Sequence, residues 1–411
     1  MTRAHTEDTP FARNYARRML TFSHGKGVWL TDTAGTRYLD LGSGIAVNAL
    51  GYGDAGFSRV LARQSRKVVH VSNLYTTEPS LRLGERLLAL SAPVLREPPA
   101  AVHLGNSGAE ANEAAIKYAR LWSYLTRGEG HHRIISFTDA FHGRTMGALS
   151  ATPKEAYRKK FEPLVPGFVS VPFNDCAALE KALDESVTAV MVEVVQGEGG
   201  LREISPEMVE TLNRLGPERG VLVIADEIQT GLGRLGSLLG CQAVGLQPDI
   251  ITLSKPLAGG LPLSATIIPG RINDLVQVGD HGTTFGGGPV TSAAALYVLD
   301  RLESPRFLAD LAVREEQLNA GLRELQQQFR WIVELRGRGL LRGLRLDLGP
   351  DQEKLFPQVL EVAQELGLLL LRSGSDVIRV APPLVISGKE MVEALKRLRS
   401  VCETIESRRT V

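Results

Sequence analysis

The fold class follows from two stretches, which read VLVIADEIQTGLGR over residues 221–234 and DIITLSKPLAGGLP over residues 249–262. The first begins with the apolar run VLVIA, and the second with a mostly apolar run, IITL, after Asp249; each continues directly into a loop that contains glycine. Short apolar runs bounded by turn residues are typical of strands that are buried on both faces of a sheet. The two stretches therefore predict buried strands whose ends carry Asp226 and Lys255.

Similar apolar runs alternate with helical patterns over the middle of the chain. The pattern predicts helices over residues 78–91, 108–126, 175–183 and 207–215, and strands over residues 101–104, 133–137, 187–192, 221–225 and 249–253. Strands that alternate with helices form βαβ units, in which the strands run parallel. We therefore expect an α/β fold with a large domain whose mostly parallel sheet is covered on both faces.

The two ends of the chain differ from its middle. The last third predicts amphipathic helices over residues 290–302, 306–329, 351–366 and 389–405, with short strands over 331–336 and 377–380. The start predicts a hairpin, 27–31 with 37–40, that is too short to be stable alone. We expect an N-terminal segment (1–68) that joins the small domain, a large domain (69–288) and a smaller C-terminal α+β domain (289–411).

Composition and patterning argue against several classes of protein. The 411 residues include 47 Lys and Arg against 46 Asp and Glu, a balance that speaks against nucleic acid or an anionic membrane as partner. The apolar runs are shorter than the ~18 residues of a membrane span, and the start of the chain lacks a signal-peptide pattern. Three widely spaced cysteines argue against a metal site or a disulfide framework. We therefore expect a cytoplasmic protein without metal.

In open α/β sheets, ligands bind beyond the carboxyl ends of the strands. After the strand at 101–104, Ser107 and Glu110 have the spacing of a capping box, and the small residues Gly108 and Ala109 leave helix N–H groups open to an anion. An ordinary N-cap explains this fragment as well.

The strand at 133–137 is followed by three reactive or aromatic side chains, those of Phe141, His142 and Arg144. In isolation, Phe141 could equally belong to the hydrophobic core, and Arg144 could equally form an ion pair at the surface.

Asp226 follows an apolar strand, which is also the pattern of the magnesium-binding carboxylate of P-loop ATPases. That interpretation requires a G-x-x-x-x-G-K-[ST] loop as well. Neither Gly-Lys step of the chain fits, because Leu20 and Pro383 stand where the first glycine is required. The sequence therefore disfavours a nucleotide-binding protein.

Lys255 ends a buried strand and precedes a proline and paired glycines. A lysine there is costly unless it is paired or used covalently, because burial penalises the charged amine. A lysine that extends to solvent is the simpler alternative, whereas a partly neutral amine suits Schiff-base chemistry. A carboxylate, a lysine, an aromatic ring, an arginine and an anion-binding helix start together predict a pyridoxal-phosphate (PLP) site.

The chain resembles the class III aminotransferases of fold type I, and within them the acetylornithine aminotransferases. The matching motifs, in order, are residues 15–17 (YAR), 43–48 (SGIAVN), 72–75 (SNLY), 106–112 (NSGAEAN), 141–145 (FHGRT), 196–198 (QGE), 226–231 (DEIQTG), 254–255 (SK), 281–285 (HGTTF) and 379–383 (RVAPP). The resemblance covers nearly the whole chain. It implies PLP as cofactor, and a homodimer whose active site is shared between subunits.

The resemblance also implies roles for single residues. Lys255 would bond to the cofactor and later move a proton at the substrate's amine-bearing carbon, while Asp226 would keep the pyridine nitrogen protonated. Phe141 would stack on the ring, Gln229 would contact its 3′-oxygen, and Thr284 would reach the phosphate from the other subunit. The remaining members of the implied cofactor-binding set are Ser107, Gly108, Ala109, His142 and Ile228.

The implied reaction moves the δ-amino group of N2-acetyl-L-ornithine to 2-oxoglutarate, a step in arginine biosynthesis. Arg144 would bind the donor's α-carboxylate, since a guanidinium binds a carboxylate through two hydrogen bonds. Arg379 would bind a carboxylate of 2-oxoglutarate, and Glu198 would neutralise Arg379 when the donor is bound. Tyr15 and Thr283 would be lesser substrate contacts.

The resemblance leaves several amines open as the amino donor. Val194, Leu235 and Gly288 depart from the usual family motifs, so relatives that use 4-aminobutyrate, ornithine, lysine or N-succinylated donors remain alternatives. A PLP-dependent amino-acid racemase on the same fold is a further alternative. The loop at residues 43–47 lacks the tyrosine of ornithine δ-aminotransferases, which favours an acylated donor over free ornithine.

Overall fold

The computed structural model describes residues 10–18 and 20–409. Its strands are β1 (Phe22–Lys26), β2 (Trp29–Asp32), β3 (Arg37–Asp40), β4 (Pro99–Gly105), β5 (Arg133–Phe137), β6 (Phe168–Val171), β7 (Val187–Val192), β8 (Leu222–Asp226), β9 (Ile250–Leu253), β10 (Ser264–Pro269), β11 (Ile332–Arg338), β12 (Leu341–Leu346), β13 (Leu368–Leu369), β14 (Leu371–Ser373) and β15 (Val377–Val380). Its helices are α1 (Ser43–Ala46), α2 (Ala55–Ser65), α3 (Glu78–Ser91), α4 (Gly108–Arg127), α5 (Met146–Ser150), α6 (Glu155–Arg158), α7 (Cys176–Ala182), α8 (Pro206–Arg219), α9 (Gly240–Val244), α10 (Gly270–Asn273), α11 (Pro289–Leu302), α12 (Pro305–Gln328), α13 (Gln352–Glu365) and α14 (Gly388–Arg409). Within these described ranges, no helix is both long enough and apolar enough to cross a bilayer.

Seven strands form the central sheet in the order β4-β10-β9-β8-β7-β5-β6. From β6 to β9 the neighbours pair in parallel, so the predicted α/β fold with a mostly parallel sheet is confirmed. β10 is antiparallel to both of its neighbours, β9 and β4. No helix lies between β9 and β10, and without a crossover helix the chain returns antiparallel.

Helices cover both faces of this sheet. The side chains of Ile134 and Ile224 belong to the core beneath α4, which packs against β7, β8, β9 and β10. The adjacent residues Ile135 and Val223 belong to the other, larger core, which includes residues of α8. Because successive strand side chains point to opposite faces, such continuous apolar runs are stable only when both faces are covered.

Two smaller four-stranded sheets flank the central one, in the orders β1-β2-β3-β13 and β11-β12-β15-β14. β13 pairs in parallel with β3, with Leu368 opposite Leu39. The start of the chain is also tied to the end of β15, since Ser43 Oγ donates to the Ala381 carbonyl at 2.6 Å. The first strands therefore pack with the last third of the chain, close to the strand that carries Arg379.

Most predicted elements are present within a few residues of their expected bounds. The hairpin at the start is β2 with β3, in the register Leu30 opposite Tyr38. The elements that the patterns did not reveal are β1, β6, β10, β12, β13, β14, α2 and the short helices. β6 is a partly exposed edge strand, and β12 carries Gly343 and two arginines, so neither presents a clear apolar run.

Candidate active site

The strand ends that carry the predicted residues surround one cavity of about 240 Å³. It lies beyond β5, β7, β8 and β9, at the start of α4. Its lining includes Gly108, Ala109, Phe141, His142, Gly143, Arg144, Glu193, Asp226, Ile228, Gln229, Ser254 and Lys255. The structure thus brings most of the predicted cofactor-binding residues together, although larger depressions exist elsewhere on the surface.

The start of α4 leaves backbone N–H groups open at the wall of this cavity. Ser107 is the N-cap, and its Oγ accepts from Glu110 N at 3.3 Å. The first N–H groups of a helix have no partner within the helix, so they attract anions. A Cβ atom on Gly108 would lie 2.8 Å from Ile228 Cγ2. Only glycine at this position leaves the Ile228 side chain undisturbed.

Asp226 is held by three hydrogen bonds at the end of β8. Its Oδ2 accepts from Asn112 Nδ2 at 2.8 Å and lies 2.7 Å from His142 Nδ1, while its Oδ1 accepts from Ile228 N at 3.1 Å. Burial opposes protonation of His142, but the hydrogen bond to Asp226 and its charge prevail and raise the histidine pKa. Asp226 is thus a fixed carboxylate that retains lone pairs for a further donor.

Two side chains of this region were not assigned from the sequence. Asn112 is fully buried and is fixed by Thr252, whose Oγ1 donates to Asn112 Oδ1 at 2.9 Å. Glu193 accepts from Phe141 N and Gly197 N at 3.0 and 3.2 Å. Burial raises the Glu193 pKa to about 7, against the opposing charge of His142. Glu193 interrupts an apolar run of the sequence, which was a usable signal. Asn112 belongs to the matching motif at residues 106–112, but no pattern there indicated its contact with Asp226.

Lys255 follows β9 at the wall of the same cavity. Burial lowers the pKa of its amine, and the negative charge of Glu198 partly opposes this effect. Among the residues that the structure describes, no carboxylate lies within ion-pair distance of the Lys255 amine. A lysine with these properties is more easily deprotonated, and therefore more nucleophilic, than a solvated one.

Arg379 is buried beside this cavity at the end of β15. Its Nη1 donates to Glu198 Oε1 at 2.6 Å, to Gln229 Oε1 at 3.0 Å and to the Gly197 carbonyl at 3.0 Å. The predicted pair of Arg379 and Glu198 is therefore in contact. Gln229 joins this pair to the cavity, because it also lines the cavity wall.

Arg144 is the second arginine of the site, and its surroundings differ. Its guanidinium carbon lies 3.5 Å from the ring centroid of Tyr157 and 5.5 Å from that of Phe141. Within the described part of the chain, no carboxylate lies within 4.0 Å of its nitrogens. The two arginines of the site thus differ: one is ion-paired and buried, the other exposed and stacked on rings.

Three predicted residues lie away from the cavity. Thr283 and Thr284 line a separate depression of about 590 Å³, although Thr283 Oγ1 accepts from Asn106 Nδ2 at 3.3 Å, just before α4. Tyr15 is 66% exposed, and its ring lies 5.5 Å from the Arg17 guanidinium. A single chain therefore does not bring these three residues to Lys255.

A parallel sheet that brings a lysine, a fixed carboxylate and an open helix start to one cavity defines a PLP-dependent enzyme of fold type I. The chain belongs to the class III aminotransferases, because residues 11–402 match the family model for aminotransferase class III. It is a transaminase, and PLP is its cofactor. The residues present fit this group: Asp226 has lone pairs free for a pyridine N–H, and Gly108 leaves the helix start open.

Individual relatives cover almost the whole chain. The acetylornithine aminotransferase of Gloeobacter violaceus is 42% identical over 388 residues, which are 94% of each chain. The N-acetylornithine aminotransferase structure from Stenotrophomonas maltophilia is 33% identical, with a TM-score of 0.82 over 96% of this chain and 98% of that one. The ornithine aminotransferase structure from Toxoplasma gondii is 32% identical, with a TM-score of 0.90 over 97% and 93%.

Proposed function

We propose that this aminotransferase moves the δ-amino group of N2-acetyl-L-ornithine to 2-oxoglutarate, as a step in arginine biosynthesis. The Gloeobacter violaceus and Stenotrophomonas maltophilia relatives support this donor by their names. The observation that carries the proposal is the contrast between the two arginines. Arg379 is neutralised by Glu198 at 2.6 Å, whereas Arg144 has its charge available for the carboxylate of an amino acid.

The cofactor, when bound, draws electrons from the substrate's amine-bearing carbon. In our proposal, Lys255 would hold the cofactor covalently, and its Nζ would later move the proton at that carbon. Asp226 would accept from the pyridine nitrogen and favour its protonated form, as a nearby carboxylate does. The other proposed cofactor contacts are the first turn of α4 with Ser107, Gly108 and Ala109, the ring of Phe141, and the side chains of His142, Ile228 and Gln229.

The two substrates would use the two arginines differently. Arg144 binds the donor's α-carboxylate through two parallel hydrogen bonds. Glu198 would balance the positive charge of Arg379 during that half-reaction and turn away when 2-oxoglutarate brings its own carboxylate. The Glu198 side chain is 28% exposed, which leaves room for such a movement. Tyr15 and Thr283 are proposed as lesser substrate contacts.

We also propose a homodimer in which Thr284 completes the cavity of the other subunit. The support is a group of exposed apolar residues on the same side as Thr284: Leu74 (88% exposed), Tyr75 (73%) and Phe285 (67%). Leu74 lines the same depression as Thr284. Exposed apolar side chains grouped in this way are typical of protein–protein contacts.

The division of the chain into residues 1–68, 69–288 and 289–411 remains a proposal, supported by the pairing of β3 with β13. A cytoplasmic location is proposed as well. All three cysteines are free thiols, which fits a reducing compartment.

Ornithine is the second candidate donor, because the Toxoplasma gondii ornithine aminotransferase superposes with a TM-score of 0.90. Initial rates with N2-acetyl-L-ornithine, L-ornithine, L-lysine and 4-aminobutyrate, each with 2-oxoglutarate, test the proposal. We expect the highest kcat/KM with N2-acetyl-L-ornithine. The proposal is wrong if this donor is among the poorest.

A further inference from the structure

Tyr157 has no assigned role, yet its ring is the nearer of the two rings beside the Arg144 guanidinium. The guanidinium carbon lies 3.5 Å from the centre of the Tyr157 ring, which is van der Waals stacking of the planar cation on the ring face. Phe141 lies farther, at 5.5 Å. An aromatic face attracts a cation without neutralising its charge, and arginine is the cation best suited to this geometry.

The Tyr157 ring is itself held in place. It meets Phe141 edge to face, with ring centroids 6.4 Å apart at 88°. The Lys154 amine lies 4.8 Å from its centroid. A hydrogen bond also joins the chain near the two side chains, since His142 N donates to Thr152 Oγ1 at 2.9 Å. Arg144 follows His142 by two residues, and Tyr157 follows Thr152 by five. Tyr157 and Arg144 therefore belong to one fixed arrangement.

We propose that Tyr157 is a positioning residue that holds the Arg144 guanidinium ready for the donor's α-carboxylate. This inference rests on the proposed role of Arg144 in donor binding. A stacked guanidinium uses its face for the ring and keeps the N–H groups at its edge free for a bidentate carboxylate. An ion pair would hold Arg144 as well, but it would consume the same N–H groups and cancel the charge.

The ring of Tyr157, and not its hydroxyl, carries this role. The Tyr157→Leu variant should therefore raise the KM for N2-acetyl-L-ornithine about tenfold, the size expected when a fixed cation becomes free. Its kcat and its KM for 2-oxoglutarate should stay within about twofold of the wild type. Tyr157→Phe, which keeps the ring face, should behave as the wild type does.

N-acetylputrescine provides the matched substrate control, because it has the same chain and amine but no α-carboxylate. Its KM should be the same for the wild type and for Tyr157→Leu. Tyr124→Leu, at a tyrosine that is 57% exposed on α4, controls for the loss of an exposed ring. If Tyr157→Leu does not fold, Tyr157→Gln also removes the ring and takes its place.

Arg144→Ala, measured in parallel, separates the two levels of the proposal. If Arg144→Ala raises the donor KM and Tyr157→Leu does not, the role of Tyr157 is wrong and the role of Arg144 in donor binding stands. If Arg144→Ala leaves the donor KM unchanged, the roles of both residues are wrong. In the Arg144→Ala background, Tyr157→Leu should add less than about twofold, and a full independent effect would contradict positioning through Arg144.

Discussion

Arg379 donates to Glu198 across 2.6 Å at the edge of the cavity that also contains Lys255. The arginine is 2% exposed, so its charge must be balanced by the protein or by a bound carboxylate. Glu198 supplies that balance when no dicarboxylate is present. In the proposed mechanism both carboxylates use the same N–H groups, so 2-oxoglutarate would compete with Glu198 for Arg379.

Glu198→Gln should shift this competition toward 2-oxoglutarate. The amide keeps a hydrogen-bond acceptor but no charge, so Arg379 attracts the dicarboxylate more strongly. We expect the KM for the donor to rise about tenfold and the inhibition by 2-oxoglutarate to become stronger. A tenfold change corresponds to about 1.4 kcal/mol of binding free energy. Steady-state kinetics with both substrates varied will measure this. Glu129→Gln, at an exposed carboxylate, is the control, and unchanged donor KM in Glu198→Gln would contradict the switch.

The charge of Glu198 should also be visible in the pH dependence of cofactor attachment. The neutral form of Lys255 is the one that reacts, and burial lowers its pKa below the ordinary 10.5 whereas Glu198 raises it. The rate of PLP attachment to the apoenzyme should therefore rise with pH around a midpoint below 10.5. Removing a nearby negative charge disfavours the ammonium form, so Glu198→Gln should move this midpoint to lower pH. A move to higher pH would refute the assignment.

Gly108→Ala should weaken PLP binding without unfolding the chain. The new Cβ would lie 2.8 Å from Ile228 Cγ2, so the Ile228 side chain would have to move at the cavity wall. We expect about a tenfold higher Kd for PLP, measured by titration of the apoenzyme. Gly84→Ala is the matched control, since an added Cβ on this helical glycine meets nothing within 4 Å. An unchanged Kd in Gly108→Ala would show that this contact does not shape the cofactor site.

Lys255→Ala should bind PLP without a covalent bond and should turn over at least about 1000-fold more slowly, the loss expected for a positioned proton-transfer group. Mass spectrometry after borohydride reduction should find the cofactor fixed to the wild-type chain and absent from the variant. Lys181→Ala, at an exposed lysine, should retain the label. Near-normal turnover in Lys255→Ala would remove this lysine from the mechanism.

The sequence predicted the sheet and the centre of the site for one physical reason. Asp226 and Lys255 end fully buried strands, and polar residues at the ends of such strands cluster at one edge of a parallel sheet. Asn112 could not be found in this way, because it lies within α4 and reaches Asp226 only through the packing of that helix on the sheet. The same holds for Tyr157, whose contact with Arg144 depends on the fold of the segment between them.

Other differences arise from elements without a clear apolar pattern. β10 was not predicted, although all six of its residues are buried. The prediction relied on strands that alternate with helices, and no helix separates β10 from β9. The proposed role of Thr284 depends on a second subunit, which no pattern within one chain can locate. Asp226 and Lys255 were thus predictable from the pattern, because each stands at the end of a buried strand at the same edge of the sheet. The contact between Arg379 and Glu198 was predicted only through the family resemblance, and the contact of Asn112 with Asp226 was not predicted.

The most direct test is the visible absorption spectrum of the purified enzyme, before and after N2-acetyl-L-ornithine is added without a keto acid. We predict a PLP band that disappears as the cofactor is converted to pyridoxamine phosphate, and that returns on addition of 2-oxoglutarate. A PLP band that persists with this donor but is lost with another amine would contradict the proposed substrate. The absence of any such band after reconstitution with PLP would contradict the site itself.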